Sequence, residues 1–477
     1  MRLGSLLLAL FLPACALLQR PEPELPPDPT ALTAETFERI RDNPPWLAAF
    51  LRDMPKGGDI HSHLTGAIYA ESYIRWAVED DLCLERASLA IVAPPCQPTS
   101  ARIPASAILA NTALYDDVID AWSLRNWHPA QGTGQDHFAQ AFLKFRARDR
   151  TGDMLAEVTT RAAGQRIGYL ELLLGPRLDA VMALGRQVEW TGDADSSRAL
   201  LLAAGLRDTL AQAEQMLDSA EERRRQIQKC DTDEADPGCA VTVRYVYQVL
   251  RTRPADEVFA QILAGFELAR MDPRVVGFNL VQAEDTPVAM LDFRLHMAMI
   301  DALHTLYPDV PIALHAGELT EGLVPPEALR FHIRSSIEQG HASRIGHGVS
   351  IMHEDDAQGL LRMMAERGIL VEVALSSNDA LLGVSGNRHP LRAYLQAGVP
   401  VTLVTDDEGV TRTTLTREFQ RAVEEHGLDY WTIRRMARNS LEHAFAGPAE
   451  KQRLLAEFDA AVREFELRWS SPPGLSR

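Results

Sequence analysis

Eight short apolar or β-branched segments that recur in order, helical stretches between most of them, and a length suited to one large domain predict an α/β chain. The expected architecture is a (β/α)8 barrel of the TIM type with additional helical insertions. At 477 residues the chain exceeds the ~250 typical of such a barrel, which leaves room for those insertions. With 46% hydrophobic and 24% charged residues it falls in the globular class. Lys and Arg number 48 against 66 Asp and Glu, a net charge of −18 that disfavours a nucleic-acid polymer as partner, because counterion release needs a basic stripe.

The chain opens MRLGSLLLALFLPAC, with one Arg, an apolar run from Leu6 to Leu12 and small or turn-forming residues before Cys15. This is a secretory pattern too short to span a bilayer. Leu12, Pro13, Ala14 and Cys15 resemble a bacterial lipobox, so residues 1–14 are expected to be a removed signal peptide and Cys15 a lipidated N-terminus. Residues 15–32, proline-rich and polar, read as a stiff tether; 33–470 read as a single barrel domain and 471–477 as a tail. The implied location is outside the cytoplasm, on a membrane through the lipid, on the periplasmic or cell-surface side.

Four further cysteines allow two disulfides in three connectivities, with free buried thiols as the competing reading. The local pairs Cys83 with Cys96 and Cys230 with Cys239 are preferred, since each closes a small loop rich in Pro, Asp or Gly. Neither has CxxC spacing, which weakens zinc-ribbon and thioredoxin-like readings.

Between Thr33 and Met54 a helical apolar period interrupted by Pro44 and Pro45 suggests two short helices outside the first strand. The eight strand candidates are GGDIHSHL (57–64), YLELLLG (169–175), VTVRYVYQVL (241–250), VVGFNLV (275–281), PIALHAGE (311–318), RIGHGV (344–349), ILVEVALSSN (369–378) and VPVTLVTDD (399–407). The spacers 65–168 and 176–240 are too long for single helices and read as insertions, the second containing an uninterrupted helical run from about Ser197 to Lys229.

Barrel chemistry is expected at the C-terminal ends of the strands, so polar residues that interrupt the last positions of an apolar strand are informative. His61 and His63 lie two apart and therefore point to the same side of the first strand. His315 ends the fifth strand, with Glu318 three residues on; His347 ends the sixth; Asp406 and Asp407 end the eighth. Three imidazoles and a carboxylate converging on a barrel mouth suit one Zn²⁺ with a water in the open position. Other histidines, among them His128, His137, His332, His353 and His443, read as solvated or packed, and His389 as a loop residue.

This ordered set resembles the adenosine deaminase family of metal-dependent amidohydrolase barrels: MPKGGDIHSHLTGA, HAGE, RIGHGV, Ser376-Ser377-Asn378 and TDD follow in that family's order across about residues 54–445. The resemblance implies that His61, His63, His315 and Asp406 bind one zinc ion. It also implies that Glu318 faces the purine N1, His347 lies beside the attacking water and Asp407 meets N7, with Thr65, Gly317 and Gln282 among the substrate-binding residues. Thr65 stands where family members usually carry a ribose-binding Asp, Gln282 where they commonly carry a Gly, and Glu408 where a Pro usually follows TDD. Phe138 and Phe142, with Phe145, resemble the helix that lids the base pocket; an ordinary amphipathic stripe gives the same spacing.

The activity so implied is zinc-dependent hydrolysis of adenosine or 2′-deoxyadenosine to the inosine product with release of ammonia. Another 6-aminopurine derivative on the same barrel, or a non-catalytic nucleoside-binding surface lipoprotein, are the alternatives. The zinc nucleobase deaminases of the His/Cys/Cys type are excluded because their HxE and PCxxC segments are absent.

Overall fold

The computed structural model describes residues 28–98, 101–146 and 149–471. The expected signal peptide, Cys15 and most of the tail lie outside them. No helix among the described residues is long and apolar enough to cross a membrane.

The eight strands form where the apolar segments stand: β1 Gly57–His63, β2 Ile167–Leu174, β3 Thr242–Leu250, β4 Val275–Val281, β5 Ala313–Ala316, β6 Arg344–His347, β7 Leu370–Val373 and β8 Val401–Leu403. All pair in parallel, β1 to β4 in one run and β5 to β8 in another. Two single bridges close the ring, Phe278 with Ile312 between β4 and β5, and Ser62 with Asp406 between β1 and β8. At that second seam His63 N–H donates to Asp406 O (2.9 Å) and Asp406 N–H to His61 O (3.0 Å). Barrel closure and placement of the polar strand ends are therefore one event.

Several local expectations shift. The helix Pro29–Ile40 begins inside the stretch read as tether, because Asp28 accepts the Thr30 N–H as a cap and Pro29 fits the first helical position. The two helices of the 33–54 region are present, the second being Pro44–Asp53, but they pack on the helices Pro448–Trp469 and Leu415–His426; Tyr430–Glu442 is the helix that covers β1. Ser376, Ser377 and Asn378 do not end a strand: β7 stops at Val373, and they form the first turn of the helix Leu375–Leu382. The helical run from Ser197 is broken at Gly205, whose φ of +97° separates Ala194–Ala203 from Leu206–Ile227.

Insertion 65–168 carries, besides helices, a small antiparallel sheet of Cys83–Glu85 flanked by Ala90–Val92 and Arg102–Pro104. Strands of three residues are too short to show a period. Both local disulfides form, Cys83–Cys96 and Cys230–Cys239. The N-terminal helices are held by an aromatic cluster: the buried Phe50 ring lies 5.3 Å from Phe37, 5.8 Å from Tyr430 and 4.9 Å from both Phe465 and Trp469.

Candidate metal and active site

The side chains of His61, His63, His315 and Asp406 each offer a ligand atom, all within 4.8 Å of one another. His315 Nε2 lies 3.1 Å from His61 Nε2 and 3.3 Å from His63 Nε2, and Asp406 Oδ1 lies 3.6 and 3.3 Å from the same two nitrogens. Tetrahedral ligands about 2.0–2.1 Å from zinc are separated by about 3.3–3.4 Å, so the spacing suits that geometry.

The outward nitrogens show which atoms face inward. His61 Nδ1 is 2.8 Å from Glu372 Oε2, an acceptor, so Nδ1 carries hydrogen. Asn279 Oδ1 accepts the His315 backbone N–H at 2.9 Å, which fixes the amide, and the same oxygen faces His315 Nδ1 at 2.8 Å. Neutral His61 and His315 thus aim two lone pairs at each other across 3.1 Å, an arrangement that a shared positive charge relieves. Burial works against a charge on His61, but hydrogen bonds to Asp406 and Glu372 outweigh it and lift the ring to about 10. A divalent ion would displace that proton. Burial holds His63 down at about 4 and His315 well below the usual imidazole range. Burial also raises Asp406, but His61 and the neighbouring imidazoles more than reverse this and hold it well below the carboxylate range. The donor set fits a divalent cation of the zinc type.

Glu318 and His347 form a second group with Asp406. Glu318 Oε1 is 3.8 Å from His347 Nε2, and the Glu318 side chain keeps 12% exposure at the mouth. Burial, and after it the charge of Asp406, push Glu318 up to about 8. Burial holds His347 at about 4. Asp407 is driven well above its usual range by burial and by Asp406. Both carboxyls hold a proton more firmly than a free carboxyl does, and Glu318 and Asp407 with His347 make a set able to donate hydrogen bonds or protons to a ligand's ring nitrogens.

Gly66 allows Asp407 its place, since a Cβ there would lie 1.6 Å from Asp407 Oδ1. Gly317 takes φ of +70°, and a Cβ on it would meet Ile333 Cδ1 at 2.7 Å. Gln282 is exposed with φ of +77°, the backbone state glycine adopts freely, which costs about 1–3 kcal/mol for another residue. Its carbonyl accepts from Arg251 Nε at 2.8 Å. Thr65 is exposed and its carbonyl accepts the Tyr73 hydroxyl at 2.8 Å. Glu408 turns away to Arg161 and Gln165 (2.8 and 2.9 Å). Phe138 and Phe142 are partly buried, 5.0 Å apart, and Phe142 continues to Phe145 at 5.3 Å. Their helix, Gly134–Phe142, lies against Ala380 after β7 at Gly134 and reaches Asp285 after β4 through Gln135 Nε2 (2.6 Å). It spans between the helix that follows β7 and the loop that follows β4.

Sequence reasoning missed Glu372 and Asn279, although each interrupts an apolar strand as the identified residues do. His332 is packed and His389 lies in a loop, as expected, but their hydrogen bonds toward the site carried no signal in the sequence. His389 is buried and joined to Asn378 at 3.1 Å; His332 is buried, stacked on Phe293 at 4.0 Å and bonded to Glu284 at 2.6 Å, and Glu284 in turn accepts the Glu318 N–H at 2.9 Å.

Fold and donors together define a metal-binding (β/α)8 barrel with its site at the C-terminal rim. A family model described as Adenosine deaminase matches residues 210–461, just over half of the 477. The chain belongs to the adenosine deaminase family. An adenine deaminase of Sinorhizobium medicae is 33% identical over 197 residues, 40% of this chain and 55% of that one. An adenosine deaminase of Shewanella woodyi is 30% identical over 215 residues, 44% and 58% of the two chains. The chain spans a little over half the length of these curated relatives. Among solved structures, a zinc-bound amidohydrolase of B. ambifaria superposes with a TM-score of 0.58 at 17% identity, covering 88% of this chain and 94% of that one. The N6-methyl-AMP deaminase of Arabidopsis thaliana does so at 0.54 and 19%, covering 87% and 99%. At such identities the likeness concerns the fold.

Proposed function

We propose that the protein is a zinc-dependent deaminase that hydrolyses the 6-amino group of adenosine or 2′-deoxyadenosine, giving the inosine product and ammonia. The observation that carries this reading is the juxtaposition of a four-donor cluster with Glu318, a carboxyl pushed up to about 8.

One divalent ion held by His61, His63, His315 and Asp406 would lower the pKa of water from about 15.7 toward about 7, making a nucleophile available at neutral pH. Glu318 holds its proton at the purine N1 and delivers it as the oxygen attacks C6, so charge does not build up on the ring. His347 hydrogen-bonds the attacking oxygen, and protonated Asp407 donates to N7. Collapse of the tetrahedral centre breaks the C6–N bond: the proton of the new C6 hydroxyl passes, by way of the Glu318 carboxylate, to the departing amino group, which leaves as ammonia. C6 becomes the carbonyl, and Glu318 regains the proton that the water lost on forming the nucleophile.

A second reading, free adenine or another 6-aminopurine as substrate, is favoured by Thr65, a neutral side chain where a ribose-binding carboxylate is usual, and by relatives named adenine deaminase. Zinc-loaded protein offered adenosine, 2′-deoxyadenosine, adenine, AMP and N6-methyl-AMP, with release of ammonia measured, or of methylamine for N6-methyl-AMP, separates the two. Absence of turnover on the whole panel would leave nucleoside binding without catalysis. The N-terminal reading is kept with it: the enzyme works outside the cytoplasm on a lipid at Cys15, and Cys15→Ser should abolish incorporation of labelled palmitate.

A further inference from the structure

Behind His347 runs a chain of buried hydrogen bonds that determines which of its ring nitrogens carries the proton. Its outermost member is a backbone amide, whose polarity is fixed: Leu391 N–H donates to His389 Nδ1 at 3.2 Å. That nitrogen must therefore present a lone pair, and the proton of neutral His389 sits on Nε2. His389 Nε2 lies 3.1 Å from Asn378 Oδ1, so it donates to that oxygen. The other end of the amide, Nδ2, then donates to His347 Nδ1 at 3.0 Å. His347 Nδ1 is an acceptor, and the proton of the neutral ring is left on Nε2. The reverse orientation of Asn378 would set its N–H against hydrogen on His389 Nε2, so the amide has one arrangement. All three side chains are buried. Because each ring presents a lone pair on Nδ1, each carries a single proton and is neutral, and His426 packs edge-on to His389 at 5.9 Å.

His347 Nε2 is buried and has no hydrogen-bond partner among the described residues. It faces Glu318 Oε1 at 3.8 Å and forms a group with Asp406. An Nε2–H is a donor and cannot ligate a metal through that nitrogen, whereas the other tautomer would offer a fourth imidazole lone pair beside the three of His61, His63 and His315.

We propose that His389 is a positioning residue which, through Asn378, locks His347 as the Nε2–H tautomer, keeping it out of the metal's ligand set and available to donate to the attacking oxygen. The role assigned to the donor rests on the deaminase reading; the tautomer itself does not. Asn378 passes on the polarity set by Leu391 N–H, and the proline between His389 and Leu391 removes a competing N–H from the turn.

The test uses the full chain, zinc-loaded and ¹⁵N-labelled at histidine, with the His347 signals assigned by their loss in His347→Gln. Long-range ¹H–¹⁵N correlation is expected to show a protonated Nε2 and a bare Nδ1 in the unmodified protein; a bare Nε2 overturns the proposal. Asn378→Asp replaces the donor facing Nδ1 by an acceptor while leaving the His389 bond intact. It should move the proton to Nδ1 and lower kcat at least about 100-fold with KM little changed. His389→Leu should lower kcat in the same direction, and His389→Gln, which keeps an N–H for Asn378, should restore most of it. An Asn378→Asp protein that turns over normally overturns the proposal. If a variant fails to fold, the unmodified protein's spectrum decides alone. If no substrate is turned over while Nε2–H is observed, the deaminase reading fails and the tautomer lock stands.

Discussion

Glu372 Oε2 sits 2.8 Å from His61 Nδ1, while its other oxygen is held 2.7 Å from Arg344 Nε, and Arg344 NH2 in turn lies 2.7 Å from Glu171 Oε2. The three charged residues are fully or almost fully buried, and Arg344 is stacked 3.7 Å over the Phe445 ring. A charged ladder thus crosses the barrel interior and ends on an imidazole of the metal site.

Glu372→Gln should therefore weaken metal binding by about 10–100-fold, because an amide raises the basicity of His61 less than a carboxylate does. It also leaves Arg344 with one carboxylate partner, a destabilisation of about 3–5 kcal/mol if the pair is broken outright. Zinc retained after dialysis against a graded chelator series reports the first effect and chemical denaturation the second. Wild-type metal retention would contradict the role given to Glu372.

Glu318→Gln should keep the metal and lose turnover by at least about 100-fold, since the amide has no proton to give N1. The pH profile follows from the same group. Glu318 acts in its protonated form and is raised to about 8, so kcat/KM should fall as pH rises through that value, while loss of the hydroxide nucleophile sets the acid limb. The bound ion's charge favours the carboxylate, so the alkaline limb should lie at or below about 8. In the Gln variant the residual rate should lose this limb. A profile flat from pH 6 to about 9 would sink the assignment.

Removal of the metal should abolish activity and lower stability together. A ligand that binds only the folded state stabilises by about 2.7 kcal/mol at one hundred times its dissociation constant. His61, His63 and Asp406 are anchored at the β1/β8 seam and His315 reaches them from β5, so removal of the ion leaves imidazole lone pairs converging where the barrel closes. Calorimetry of chelated and zinc-reconstituted protein should show a lower unfolding temperature without metal and recovery on reconstitution.

The barrel was legible because its strands are bounded apolar runs, and the donors because each polar residue breaks such a run near its end. His61, His63, His315 and Asp406 carry that signal in one dimension. Glu372 and Asn279 carry it too, but in mid-strand, where a polar residue reads as tolerated rather than used. The link from His389 to His347 has no sequence signature, since it depends on a turn that brings residues 378 and 389 to one side of a strand end. Gly205 shows the opposite failure: a helical period continued across it, and only its left-handed backbone ended the helix. Short elements such as Cys83–Glu85 fall below any periodicity.

Gly66 offers a test that separates placement of Asp407 from metal binding. A Cβ at this position would lie 1.6 Å from Asp407 Oδ1 and 2.5 Å from its Cγ, far inside van der Waals distance, so Gly66→Ala must displace the carboxyl. Asp407 begins the turn that leads into the helix Glu408–Thr411, and Gly409 and Val410 both donate to Gly66 O (2.9 and 3.0 Å), so the backbone has little freedom to follow. Asp406 is tied separately to β1 through the hydrogen bonds of His61 and His63. Gly66→Ala should thus retain zinc and lose most turnover, and KM for the purine should rise because the displaced carboxyl no longer reaches N7. Gly164→Ala is the control: it ends the helix Thr151–Gly164 with nothing within 4 Å of the added carbon, and should be neutral or stabilising by about 0.4–1 kcal/mol. Equal activity in the two variants would show that Asp407 has no part in binding the base.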